Sequence, residues 1–262
     1  MPPEPFYPKE LTDLSFNVLK EARQLLPGGL LIGGWGTWVR LRTMPSHDID
    51  MIVSRADIDT IRPHVNDLSE STHVGGRKWR ATLRGIHLDL YVPHQSRLGE
   101  RLRLRVEDLV GLGEEVEGWS VLEPAAHLST KFAALLDRPF TQPGRKDRTE
   151  VLALLTDTGV RPGEVADVLM TSSELPPNDL VTATRQIFGY IDEATTDRRV
   201  RDRLRSVQRE CLESLRGSLL PAPAELSAAK KGQPVATEDV DVKPYRKSTG
   251  PVSGHKRRRP KR

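Results

Sequence analysis

Asp48 and Asp50, in the run Ser46-His47-Asp48-Ile49-Asp50-Met51-Ile52-Val53, and Asp89, in Ile86-His87-Leu88-Asp89-Leu90-Tyr91-Val92, are the residues of this 262-residue chain whose spacing best suits chemistry. Both runs have the apolar and β-branched content of strands. Successive strand side chains point to opposite faces, so Asp48 and Asp50 share a face about 7 Å apart, and Asp89 lies opposite Ile86, Leu88 and Leu90. Carboxylates placed this way hold a hard divalent cation together with phosphate oxygens, which is the chemistry of metal-assisted transfer at phosphorus. Not every Asp-x-Asp qualifies. Asp57 and Asp59 sit in a run that reads as a turn into a helix, where acids serve the positive helix end.

The elements around these acids must bring phosphate to them. Leu30-Leu31-Ile32 reads as a strand, Gly33-Gly34 as a tight turn, residues 37–42 as a short helix, and residues 48–53 as the strand that carries two of the acids. Glycine lacks Cβ and tolerates unusual φ, so backbone N–H groups at Gly33 and Gly34 can pass close to a phosphate, with Trp35 next in line. Arg40 and Arg42 fall between the turn and the aspartates, as exposed helix arginines or as contacts to phosphate or base, and Arg42 is the candidate taken forward. Further on, residues 125–136 have helical spacing with Pro124 at the start, and carry Lys131. That lysine reads either as a snorkelling surface residue or as a point charge for a leaving phosphate. Asp147-Arg148-Thr149-Glu150 ahead of an apolar run fits a capping box, a role compatible with a second one at a nucleotide. His47 and His87 neighbour the acids, but no Hx3H or Cys/His cluster accompanies them, so both read as neutral hydrogen-bonding partners.

A glycine pair, an Asp-x-Asp strand and a later strand aspartate together resemble the signature of the DNA polymerase β-like nucleotidyltransferase superfamily. Within it, HLSTKFAALLDRPFTQPGRKDRTEVLALL is similar to the AbiEii-type nucleotidyltransferases of abortive infection and toxin–antitoxin pairs, with Lys131, Arg138, Lys146, Asp147 and Arg148 at the matching positions. The likeness covers residues 28–157. It implies an α+β fold, a small mixed-sheet nucleotidyltransferase domain followed by an all-α domain. It also implies that an NTP, ATP among them, is the co-substrate and that Asp48 and Asp50 hold two Mg²⁺ ions, with Asp89 at the one beside the acceptor hydroxyl. Asp48, Asp50, Asp89, Lys131 and Asp147 would then be catalytic, and Gly33, Gly34, Trp35, Arg42 and Lys131 would contact the nucleotide. Trp35 departs from the Ser or Thr common after the second glycine. A Gly-Gly-Trp version also occurs in lincosamide-type drug adenylyltransferases, so the first motif fixes the chemistry better than the acceptor.

Composition sets the outer bounds. Apolar residues make up 37% of the chain, enough for one large or two modest cores. The expected layout is an α/β domain over residues 1–122, with a helix at 8–26, strands at 77–83, 86–92, 101–106 and 117–122, and a turn at Gly75-Gly76. Five helices follow over residues 123–220, at 123–137, 147–158, 162–170, 178–193 and 197–217. Residues 221–262 hold eleven Lys or Arg against four acids, together with six prolines. This stretch therefore carries +7, while the chain's net +4 leaves −3 on the rest. Such a composition reads as a disordered basic tail, either a solubilising extension or an attractor of nucleic acid by counterion release. One cysteine, Cys211, excludes an internal disulfide and suits a reducing cytoplasm; no segment reads as a secretory signal or a membrane span.

Three functions compete at this stage. The first is a toxin-like nucleotidyltransferase acting on RNA, tRNA being favoured, or on a protein acceptor, with an antitoxin as a possible partner. The second is a drug-modifying nucleotidyltransferase acting on a lincosamide- or aminoglycoside-like hydroxyl. The third is a non-catalytic nucleic-acid-binding module, against which the three acids speak.

Overall fold

The computed structural model describes residues 6–72, 77–193 and 195–217. Helix α1 (Lys9–Leu25) buries Thr12, Ser15, Val18, Leu19 and Ala22, a spacing of three and four residues that lays one stripe on the core. Strand β1 (Leu30–Ile32) runs directly into α2 (Gly33–Leu41). A tight turn at the glycines with a helix from residue 37 is the sequence expectation; instead the glycines form the first turn of the helix. Gly33 takes φ +66°, which lets the chain pass from extended Ile32 into helix. Strand β2 (Ile49–Ile52) begins one residue later than expected and leaves Asp48 in the bend before it. Helix α3 (Arg55–Ile61) opens on a capping box between Ser54 and Asp57.

Strand β3 (Asn66–Ser71) has no sequence signal, because an exposed edge strand needs no apolar face; a register shift with Asp67 at φ 55° bends it. Strands β4 (Lys78–Leu83) and β5 (Ile86–Tyr91) form a hairpin closed by Arg84-Gly85, both at positive φ. The expected strand over 101–106 is reduced to a separate two-residue pair, β6 (Arg97–Leu98) with β7 (Leu104–Arg105). The one expected over 117–122 is half of a second hairpin, β8 (Gly113–Val116) and β9 (Trp119–Leu122), since Glu117 and Gly118 at positive φ make its turn.

Seven strands join in the order β3-β4-β5-β2-β1-β9-β8. The sheet is mixed: β1 pairs antiparallel with β2 and parallel with β9, and β2 pairs parallel with β5. Its first face packs Leu31, Ile49, Met51, Leu88 and Leu90 against α1, α2 and α3 residues such as Leu19, Trp35 and Ile58. Its second face packs Leu30, Ile32, Ile52 and Leu122 against the helices that follow. Those are α4 (Pro124–Asp137), α5 (Gln142–Asp157), α6 (Pro162–Ser172), α7 (Pro177–Asp192) and α8 (Arg198–Gly217), which contribute Phe132, Leu154, Leu169, Ile187 and Leu215 to the same core. Only Glu123 separates β9 from α4, so sheet and helices close around one shared interior. Helix α5 starts five residues before the expected position, capped by the Thr141 hydroxyl, which accepts from Gly144 N–H at 3.1 Å. The fold is α+β. The expected disorder of 221–262 and the turn at Gly75-Gly76 lie outside the described residues.

Candidate active site

Asp50 and Asp89 stand side by side, in direct register on the parallel pair β2–β5, on the second face of the sheet. Neighbouring strands are about 4.8 Å apart, which puts both carboxylates within reach of one ion. Asp48 joins them from the bend ahead of β2, and its Oδ1 accepts from the Ser46 hydroxyl at 2.7 Å. These acids line a cavity of about 420 Å³, together with Gly33, Gly34, Lys131 and Lys146. That size suits a small ligand.

The glycine pair serves this cavity by absence of side chain. A Cβ on Gly33 would stand 2.2 Å from Asp50 Oδ2, and one on Gly34 would stand 2.5 Å from Lys146 Nζ and 2.7 Å from Ser46 Oγ. Gly33 thus makes room for a carboxylate, Gly34 for an ammonium. No side chain caps the N-terminus of α2, and Gly33 and Gly34 in its first turn border the cavity, which leaves a helix end available to an anion. His127 of α4 fixes the turn: it is fully buried and its Nε2 lies 3.1 Å from Gly33 O and 3.3 Å from the Thr37 hydroxyl. Burial, and then the nearby Lys131 charge, push its pKa down to about 3, so the imidazole is neutral and donates through Nε2.

Opposite the acids, α4 and α5 present a buried ionic cluster. Lys131 Nζ lies 2.5 Å from Glu150 Oε2 and 3.4 Å from Asp147 Oδ1, Lys146 Nζ lies 3.5 Å from Glu150 Oε1, and Arg138 Nε lies 2.8 Å from Asp147 Oδ2. Burial alone would discharge Lys131, but Glu150 and Asp147 outweigh it and raise its pKa, so the ammonium stays charged. For Lys146 burial prevails and the pKa is lowered, although its Nζ also reaches the Ser46 hydroxyl at 3.2 Å. Tyr7, just ahead of α1, closes this side of the cavity with its ring 4.1 Å from that of His47.

The electrostatics of the three acids are uneven. Burial raises the Asp50 pKa, Asp48 and Asp89 add to it, and the result is about 7 despite Lys131 and Lys78. Asp48 is also pushed up by burial, yet the Ser46 hydroxyl, His47 and Lys146 outweigh this and hold it below the ordinary range. Asp89 is held by Lys78 Nζ at 2.5 Å and Arg80 Nε at 3.4 Å. Among the described residues, no group of three His, Cys, Asp or Glu side chains stands arranged to hold a metal ion. The donor set nonetheless suits Mg²⁺, which takes one or two carboxylates and fills its remaining positions with water and substrate phosphate.

Three sequence expectations change here. Trp35 does not face the cavity: it is 2% exposed, its indole donates to Ser15 Oγ at 2.9 Å, and it packs on Phe16 and Trp38. Helical periodicity sends Gly33 and Gly34 to the site and the next side chain into the core. Arg42 also lies away, as the left-handed C-cap of α2, ion-paired to Glu117 with its guanidinium over the Trp38 ring. Asp147 is no cap, since α5 has already begun at Gln142; it is buried between Lys131 and Arg138. Gly33, Gly34, Asp48, Asp50, Asp89, Lys131 and Asp147 do converge on one cavity. Lys78, Arg80, Glu150 and His127 are not among the candidate site residues of the sequence, and Lys146 enters there only as a position matching the family resemblance. Two of these were readable: the two-residue turn Arg84-Gly85 sets Arg80 opposite Asp89, and Glu150 lies one helical turn after Lys146.

The molecule is thus an α+β protein with a mixed seven-stranded sheet whose second face carries a cavity of three aspartates set against buried lysines. No family model matches the chain, and no curated protein matches it. Among solved structures it is similar to an antigenic nucleotidyltransferase-like protein from Paracoccidioides brasiliensis, with 14% identity over 77% of this chain and 93% of that one, at a TM-score of 0.41. It is also similar to JHP933 from Helicobacter pylori, with 10% identity over 86% of this chain and all of that one, at 0.40. A third is a nucleotidyltransferase of H. pylori so described as a tentative assignment, with 9% identity over 82% of this chain and all of that one, at 0.38.

Proposed function

We propose that this protein is a divalent-metal-dependent nucleotidyltransferase that moves a nucleoside monophosphate from an NTP to an RNA, tRNA being the favoured acceptor. The observation that carries the reading is the register of Asp50 beside Asp89, with Asp48 at the entry to β2, across one cavity from an uncapped helix N-terminus and two buried lysines. In the reaction an acceptor hydroxyl attacks the α-phosphorus, the bond to the bridging oxygen breaks, and pyrophosphate leaves. Asp48 and Asp50 would hold Mg²⁺, with Asp89 completing the set; bound there, the metal supplies charge for the attacking and leaving oxygens. Asp89 takes the proton of the acceptor hydroxyl. The N–H groups of Gly33 and Gly34 bind phosphate oxygens at the start of α2, and Lys146 and Lys131 offset the charge that develops on pyrophosphate. Asp147 and Glu150 hold those side chains in place and keep Lys131 charged.

The toxin reading, with an antitoxin as its partner, rests on the resemblance of the Lys131…Lys146-Asp147-Arg148 block, and the burial of Lys131, Lys146 and Asp147 around one cavity supports it. The drug-modifying alternative drew on Trp35, which lies in the core and gives it no support. The test incubates the intact chain and its Asp48→Ala/Asp50→Ala variant with Mg²⁺, each α-labelled NTP in turn, and total RNA plus protein. Label in a tRNA-sized band with the intact chain alone is the expected result. Label on a protein band would move the acceptor, and label in neither would sink transfer to both.

A further inference from the structure

On the second face of the sheet, helices cover β9, β1 and part of β2, and the cover stops at the cavity. Beyond Asp89 the face continues over β5, β4 and β3 with side chains open to solvent. His87 and Arg80 are exposed, Thr82 and Lys78 are partly so, and Ser69 of β3 pairs with Arg80 across the ladder. Alternate residues of the same strands, Trp79, Ala81, Leu83, Leu88 and Leu90, are buried on the other face. This half of the sheet is therefore stable on one side and free on the other. Lys78 and Arg80 face outward there, two cations that share one carboxylate, Asp89. Both cations also border the cavity, so face and cavity are continuous.

We infer that this open face is the track along which the acceptor's sugar–phosphate strand lies, with Lys78 and Arg80 on its phosphates and its terminal hydroxyl delivered to Asp89. The inference rests on the nucleotidyltransferase reading and deepens it by giving the acceptor a surface. Two outward cations to one carboxylate favour a polyanion along these strands. Lys78 and Arg80 share one carboxylate; an ion taking up Asp89 would release them toward phosphate. A strand, unlike a globular partner, needs only a shallow polar ribbon of this width.

The test uses the full chain. Arg80 is 53% exposed, so Arg80→Gln should fold, and Arg199→Gln, an exposed arginine of α8, is the matched control. RNA carrying photoreactive 4-thiouridine near its 3′ end is crosslinked to each protein and the adducts are mapped to peptides; NTP binding is titrated in parallel. Adducts within residues 78–91 are expected. So are an RNA KM about tenfold higher for Arg80→Gln than for Arg199→Gln, a rise larger than any change in its NTP binding, and a salt slope shallower by about 0.7 for one lost phosphate contact. Unchanged RNA affinity and slope in Arg80→Gln, or adducts confined to other peptides, would overturn the inference. If the intact chain labels no RNA, the transfer reading is what fails, and the crosslink still decides the surface.

Discussion

At Gly33 and Gly34 a single methyl group separates a working cavity from a blocked one. Gly33→Ala forces a side chain into a left-handed φ and against Asp50, so it is expected to cost about 1–2 kcal/mol of stability and to lower labelling at least 100-fold. Gly34→Ala meets Lys146 Nζ at 2.5 Å and the buried Ser46 side chain, its Cβ included at 2.9 Å, but at an ordinary φ; it should cost less stability than Gly33→Ala while weakening NTP binding. Thermal melts and nucleotide titration of the two variants separate these outcomes. His127 makes a prediction about acid. Its folded pKa of about 3 lies below its ordinary 6.5, so its contribution to stability is complete above pH 6.5 and is lost as pH falls from there toward 3. The total is on the order of 5 kcal/mol, about 1.4 kcal/mol per pH unit. His127→Gln keeps a donor for Gly33 O and removes the titration. Urea unfolding from pH 7 to 4 should show the parent losing ground to the variant, and parallel curves would refute the assignment.

Among the elements, α4 and α5 matter most, because they bring Lys131, Lys146 and Glu150 together inside the protein. Glu150→Leu leaves two ammonium groups with less compensation and should cost about 3–5 kcal/mol, whereas adding Lys131→Met to it should recover much of that loss. Denaturant melts of the singles and the double give the cycle; strict additivity would mean the pair is not coupled. These helices also show what a sequence can disclose. Their periodic apolar residues gave four of five helix spans to within about two residues, since burial imposes that pattern. The start of α5 was hidden because Pro143, Gly144 and Lys146 look like a loop, and only the Thr141 cap and the cavity explain them. The triad was legible because strand alternation fixes the direction of Asp50 and Asp89. The direction of Trp35 is not legible in the sequence, because a helix starting at Gly33, rather than a loop, decides where its indole points. The edge strand β3 has no apolar pattern to read.

For the whole molecule, charge is divided by sequence position. Residues 221–262 carry +7, so their removal should lower RNA affinity and flatten its salt dependence while leaving transfer to saturating RNA within about twofold. Loss of all labelling on truncation would instead tie that stretch to the chemistry. Among the described residues no helix is long and apolar enough to cross a membrane. The parallel pairing of β2 with β5 has a consequence for folding as well as for chemistry. Ile49 and Met51 go to one face with Leu88 and Leu90, and Asp50 goes to the other with Asp89. A slip of one residue between these strands would both expose the apolar set and separate the acids. Completing the interior and assembling the acid cluster are therefore a single event: a chain that mispairs these strands lacks both.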